Sequence, residues 1–182
     1  MKAWQHLKTV THHRRLVRNG CFQVGLYWQG LTHDLSKFSP TEFGVGAKLY
    51  QGTRSPNAAE RDLKGYSEAW MHHKGRNRHH WEYWTDLQPK TRRYESVPMP
   101  RKYLVEMVMD RRAACMTYQG KNYTPGSALT YFEGSMEKDL MHPDTNRQLR
   151  FLLTMLRDEG EEKTFRYMKE QVLKNKPFPW EE

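Results

Sequence analysis

The run Gly30-Leu31-Thr32-His33-Asp34-Leu35-Ser36-Lys37 sets an imidazole beside a carboxylate at the end of an apolar helical pattern, with an ammonium three residues further on. Imidazole nitrogen and carboxylate oxygen are the donors that first-row divalent ions take together. Successive helical residues diverge by about 100°. An adjacent His-Asp pair on a buried face can therefore give both donors to one cation or bridge two. His13, His73, His80 and Asp110 fall on the inward faces of other helical patterns. A buried ionised carboxylate costs on the order of several kcal/mol unless it is paired or metal-bound, and a buried imidazole needs both nitrogens satisfied. For His13, His33, Asp34, His73, His80 and Asp110 together, a cation meets that demand with the fewest separate partners. The mixture suits one or two ions of Fe, Mn, Co, Ni or Zn, rather than a thiolate cluster or an oxygen-only calcium site.

The elements that must position these residues read as helices. Leu7, Val10, His13 and Val17 share one side of a helix over 2–18, with His12 facing away and Asn19-Gly20 closing it. A second helix over 21–35 carries Val24, Tyr27, Trp28, Leu31 and Leu35 at helical spacing. Ser39-Pro40-Thr41-Glu42 is a helix start, with Ser as N-cap, Pro at the first turn and Glu closing a capping box; that helix runs to Tyr50. Ala59, Leu63, Tyr66, Trp70 and His73 predict a helix over 57–74, stopped at Gly75. The aromatic block 77–84 also reads as helical and sets His80 against Tyr83, Trp84 and Leu87. Residues 88–100, with three prolines, read as an irregular connector.

Tyr103, Met107, Asp110 and Ala114 form the stripe of a helix over 101–116. A turn-rich segment from Gln119 to Gly126 precedes a short helix. Leu149, Leu152, Leu153 and Leu156 then mark a helix over 145–158 ending at Gly160, and a charged helix over 161–175 follows. Period-2 patterning is almost absent. We expect an all-α helical bundle forming a single domain over 1–182, with its core at about 6–118 and a C-terminal helical extension at about 127–176.

The 182 residues carry a net charge of +9, dispersed along the chain, which favours anionic partners. Cys21 and Cys115 are far apart in sequence and read as buried thiols. No run is long and apolar enough to span a bilayer, and the opening residues pass directly into an amphipathic pattern. The expectation is a cytoplasmic protein with no membrane partner.

A His on a first helix, a His-Asp pair after a second and an Asp on a later one resembles the HD-domain superfamily of metal-dependent phosphohydrolases. His33-Asp34-Leu35-Ser36-Lys37 is similar to the His-Asp-hydrophobic-Gly-Lys run common there, with Ser36 in place of Gly. Asp110-Arg111-Arg112 matches more loosely, and the middle block His72-His73 to His79-His80 sits where a second metal's ligands would lie. The resemblance spans about residues 6–118. It implies an HD-like fold and hydrolysis of a nucleotide or other phosphorylated small molecule. By the same resemblance Asp34 bridges two metals or anchors one. His13, His33 and Asp110 complete the first site, and His73 and His80 hold the second. Lys37, with Arg14, Arg76 or Arg78, would grip phosphate oxygens, and whichever of His72 and His79 is not a ligand would protonate the leaving oxygen. Glu82 is a candidate to orient a ligand His or to form a helix ion pair; His6 and His142 read as structural or exposed, with no role in the site.

Two other readings compete. A di-iron oxygenase resembling myo-inositol oxygenase uses the same kind of scaffold, and His80-Trp81-Glu82-Tyr83 is faintly similar to a ligand block there. Alternatively, the Trp-, Tyr- and Arg-rich stretch from Trp70 to Arg93 could grip single-stranded nucleic acid, with metal serving only the fold.

Overall fold

The computed structural model describes residues 2–181; Met1 and Glu182, the ends of the expected domain, lie outside the described residues. The chain is all-α as expected, with one small hairpin. The helices are α1 (Lys2–Gln23), α2 (Tyr27–Thr32), α3 (Pro40–Leu49), α4 (Pro56–Lys64), α5 (Glu68–Lys74), α6 (Arg101–Gln119), α7 (Ser127–Gly134), α8 (Glu137–Leu140) and α9 (Pro143–Tyr167). Strands β1 (Thr85–Gln88) and β2 (Arg93–Ser96) pair antiparallel, Thr85 opposite Ser96. No helix among the described residues is long and apolar enough to cross a membrane.

Helix α6 is the axis of the molecule. Leu104 to Met109 are buried without a break, so this helix is covered on every side. On one side it meets α1 through Val17 and Cys21; on the other it meets α7 and α9 through Phe132, Leu149, Leu152 and Leu153. The predicted leucine stripe of α9 is thus core. Gly160 breaks that helix at φ 80°, ψ 178°, where the sequence predicts a stop. Beyond the break, Glu161 receives a two-pronged ion pair from Arg112 at 2.7 and 2.6 Å, which ties the C-terminal segment back to α6.

Four sequence expectations are corrected. Helix α1 does not end at Asn19-Gly20. It continues to Gln23, and Gly20 is there for close approach, since a Cβ on it would sit 2.7 Å from Met109 Sδ. The second helix is only Tyr27–Thr32, and Tyr27, Trp28, Leu31 and Leu35 point to solvent instead of the core. The helix expected over 57–74 is split at Gly65, which adopts φ 81°, leaving Leu63 and Tyr66 exposed. The aromatic block is not a regular helix either: turns and a short 3₁₀ segment at Trp81–Tyr83 lead into the hairpin, where an irregular connector was expected.

The start of α3 keeps the predicted N-cap, with Ser39 Oγ accepting from Glu42 N and Pro40 in the first turn. The capping box expected of Glu42 is corrected as well: its carboxylate turns to His72 and His73, and Ser39 N donates to Ser36 O. Both cysteines are free and buried. The α4–α5 corner closes on Glu60, 1% exposed, which accepts from Ser67 Oγ at 2.7 Å, Lys64 Nζ at 3.1 Å and Ala69 N at 3.3 Å. Burial alone would raise its pKa, but these bonds hold the carboxyl below the usual glutamate range. A depressed folded-state pKa adds stability above the unfolded value, and that stability drains away as pH falls through the folded one. Denaturant midpoints of the parent should therefore fall more steeply between about pH 5 and about pH 3 than those of Glu60→Gln, which has no carboxylate to protonate. Parallel curves would mean that the Glu60 bonds contribute nothing.

Candidate metal centre

The centre starts from a backbone turn. After Thr32 ends α2, His33 is extended (φ −47°, ψ 125°) and Asp34 is left-handed (φ 54°, ψ 27°). Asp is among the few residues that tolerate this region. With these two departures from helical geometry, both neighbouring side chains turn inward. Arg14 on α1 fastens the turn, its Nε donating to His33 O at 2.8 Å and its Nη2 to Leu31 O at 3.1 Å.

Asp34, 0% exposed, offers one oxygen to each of two donor groups. Around Oδ2 stand His13 Nε2 at 3.8 Å and His33 Nε2 at 3.5 Å; Asp110 Oδ1 joins them, 2.9 Å from His13 Nε2 and 3.5 Å from His33 Nε2. Around Oδ1 stand His73 Nε2 at 3.3 Å and His79 Nε2 at 3.4 Å, with His80 completing the group. Both Asp34 oxygens and the Nε2 atoms of His13, His33, His79 and His80 are buried yet lack an aligned hydrogen-bond partner among the described residues. Nitrogen and oxygen atoms that converge at these separations have the spacing that ligands of a common ion take. With metal–nitrogen bonds of about 2.1 Å, neighbouring ligand atoms lie about 3.0 Å apart in an octahedral shell and about 3.4 Å in a tetrahedral one. The groupings can hold a metal ion.

Outer carboxylates fix the rings. Glu106 Oε1 accepts from His33 Nδ1 at 2.9 Å and lies 3.2 Å from His79 Nδ1. Glu42 accepts from His73 Nδ1 at 2.8 Å and from His72 Nδ1 at 2.7 Å. A carboxylate on Nδ1–H leaves the Nε2 lone pair free for a metal and makes it more basic. Asn77 Nδ2 donates to Ser36 Oγ and to His73 O, each at 2.8 Å, joining the His-Asp segment to the end of α5.

Electrostatics follow from this packing. Burial opposes the charge on Asp34, but His33, Lys37, His73 and His79 outweigh it and hold the carboxyl well below its usual range. Asp110 is likewise held low against burial, chiefly by His13 and His33. Burial would lower the His33 pKa, yet Asp34, Asp110 and Glu106 together push it up to about 10. Burial lowers that of His13, and with the neighbouring imidazoles it drives that of His80 far down. Glu42 and Glu106 are both held low, because their bonds to imidazoles outweigh burial. Lys37 Nζ lies 2.7 Å from Asp34 Oδ2, with its side chain 30% exposed; Asp110 is 17% exposed. These two are more open than Asp34, His13 and His33, so the cluster opens to solvent between the 3₁₀ turn Leu35–Phe38 and α6.

Residues 2–155 match the model of a protein family described as "Family of unknown function (DUF5662)". The chain belongs to that family. Every residue of both donor groups lies inside the match, whereas the C-terminal end of α9 lies outside it. No curated protein and no solved structure matches the chain.

Of the residues singled out from the sequence, His13, His33, Asp34, His73, His80 and Asp110 all converge here. His79, expected as a proton donor if not a ligand, stands among the donors too, which leaves His72, held by Glu42, as the other adjacent histidine. The arginines expected on phosphate are engaged locally. Arg14 fastens the turn, Arg76 reaches His72 O, and Arg78 reaches Tyr103 Oη at 3.1 Å while lying over the Tyr83 ring. Among the described residues no hydrogen bond joins Glu82 to an imidazole of the cluster and its buried Oε2 has no partner, and burial raises the carboxyl pKa. His6 packs against Phe43 and Tyr50, and His142 caps the start of α9 at Asp144 N; both are structural, as expected.

Glu42 and Glu106 were missed. Glu106 precedes Asp110 by four residues on α6 and so shares its face; that spacing could have revealed it. Glu42 carried no such signal, because a capping box would already account for it. Replacing Glu106 by Gln should weaken metal binding about 10- to 100-fold in chelator competition while helicity is retained. Unchanged affinity would remove Glu106 from the centre.

Proposed function

We propose that the two donor groups bind two divalent transition-metal ions bridged by Asp34, and that the protein is an HD-type phosphohydrolase acting on a phosphorylated small molecule or nucleotide. The observation that carries this reading is the ring of buried, unbonded donor atoms around both Asp34 oxygens. His13, His33 and Asp110 would hold one ion; His73, His79 and His80 would hold the other. Such a pair, when bound, supplies a water acidified to near-neutral pKa and positive charge against phosphoryl oxygens.

The chain's own groups do the rest. Lys37, its side chain 30% exposed, keeps its ammonium 2.7 Å from Asp34 Oδ2, where it would meet a phosphate bound to the ions, and the Asp34 carboxylate raises its pKa against burial. Glu106 and Glu42 keep the ligand rings in one tautomer through the reaction. His72 stands beside the ligand His73 and is held by Glu42, which makes it the candidate to pass a proton to the leaving oxygen. The net charge of +9 supports an anionic substrate. The aromatic stretch invoked for nucleic-acid stacking is used otherwise: Trp70 packs on the His73 and His80 rings, and Trp81 and Trp84 pack against the core.

Two variants test the reading. Asp34→Ala should lose metal and phosphate-ester hydrolysis together while keeping its far-UV helical signal. Full metal content in that variant would sink the proposal. Lys37→Ala should keep its metal and lose about 10²-fold in kcat/KM. Undiminished turnover would mean that phosphate is gripped elsewhere.

A further inference from the structure

The outer surface of α1 and α2 has no part in the centre, and its chemistry is unusual. Apart from Asp34, which is buried, residues 2–41 contain no acidic residue, while they contain six Lys and Arg. Soluble surfaces ordinarily intersperse both signs. On α1, Trp4, Lys8, Arg15, Arg18 and Phe22 follow at intervals of 4, 7, 3 and 4 residues. They share one helical face, opposite the buried His6, Val10, His13 and Val17. At its end Phe22 meets Tyr27 edge-on at 5.3 Å, which carries the strip onto α2.

There the apolar content rises. Trp28 is 73% exposed, Leu31 52% and Leu35 50%, and Tyr27 and Phe38 are exposed beside them. Arg14 binds this edge to α1, bonding Leu31 O and lying over the Phe38 ring at 5.1 Å. Aromatics and leucines thus project from a segment whose Lys and Arg meet no exposed acidic residue of their own stretch.

We infer that this face docks on an anionic phospholipid surface, lying on it without spanning it. Trp and Tyr favour the headgroup level, Leu and Phe the acyl boundary, and Lys and Arg the negative lipid charge. Charge complementarity selects this occupant. A second copy of the chain, joined about a two-fold axis, would set Arg15 and Arg18 against their own counterparts with no carboxylate to relieve them. Nucleic acid would use the rings and arginines, but Leu31 and Leu35 offer nothing to stack on a base. The expectation of no membrane partner rested on the absence of a spanning segment, and a peripheral contact needs none. The inference is independent of the phosphohydrolase reading.

The test is co-sedimentation of the full chain with vesicles of phosphatidylcholine alone, and of phosphatidylcholine with about a third phosphatidylserine, at low and at physiological salt. We expect binding to the anionic vesicles only, weakened by salt. Arg15→Ala and Arg18→Ala should each weaken it about fivefold, and Trp28→Ala with Leu31→Ala should abolish it. All these positions are on the surface, so circular dichroism and metal content should be unchanged. Equal binding to neutral vesicles, no binding to either, or parent-like binding by the variants would overturn the inference. So would a mixed-sequence single-stranded oligonucleotide, or a concentration-dependent dimer, that depends on these residues while anionic vesicles are not bound.

Discussion

Asp34 is an ionised carboxylate with no access to solvent, and the architecture is arranged to keep it so. Removing such a charge from water costs on the order of several kcal/mol before anything is recovered. The recovery comes from separate parts of the chain: His13 from α1, His33 beside it, His73 from α5, His79 from the following turn, and Lys37 three residues on. None of these is close to all the others in sequence. The helices must pack correctly before the charge can be buried.

Charge is compensated, but among the described residues aligned hydrogen bonding is not complete. The carboxylates around His33 push its pKa up against burial, and the Lys37 ammonium lies 2.7 Å from Asp34 Oδ2, so both partly offset the buried negative charge. Yet the Nε2 atoms of His13, His79 and His80, and both oxygens of Asp34, have no aligned bond. Meanwhile Glu106 and Glu42 spend their own buried charge in holding Nδ1 atoms. Outer carboxylates that orient rings toward an unbonded centre are the arrangement a cation requires.

The all-helical class was legible because α6 and α9 carry long apolar patterns that only a helix can bury. So were most members of the Asp34 cluster, since a His or Asp on a core-facing stripe stands out against apolar neighbours. What was not legible has specific causes. Gly20 reads as a helix stop but acts as a contact with Met109, a distinction that depends on a partner helix far along the chain. Tyr27, Trp28 and Leu31 have helical spacing and so read as core, but spacing cannot tell which elements exist to cover them. His79 and His80 are adjacent on a turn, where helical periodicity gives no direction. Glu42 stands where a capping box would use its carboxylate, and nothing in that local pattern shows that the carboxylate turns instead to His72 and His73.

The central claim is that the Asp34 cluster is a metal centre. Elemental analysis of protein purified without chelator and without a histidine tag tests it most directly. The account predicts one to two equivalents per chain of Fe, Mn, Co, Ni or Zn, the ions suited to mixed imidazole and carboxylate donors. No metal as purified, and none taken up on titration with each of these ions, would contradict it.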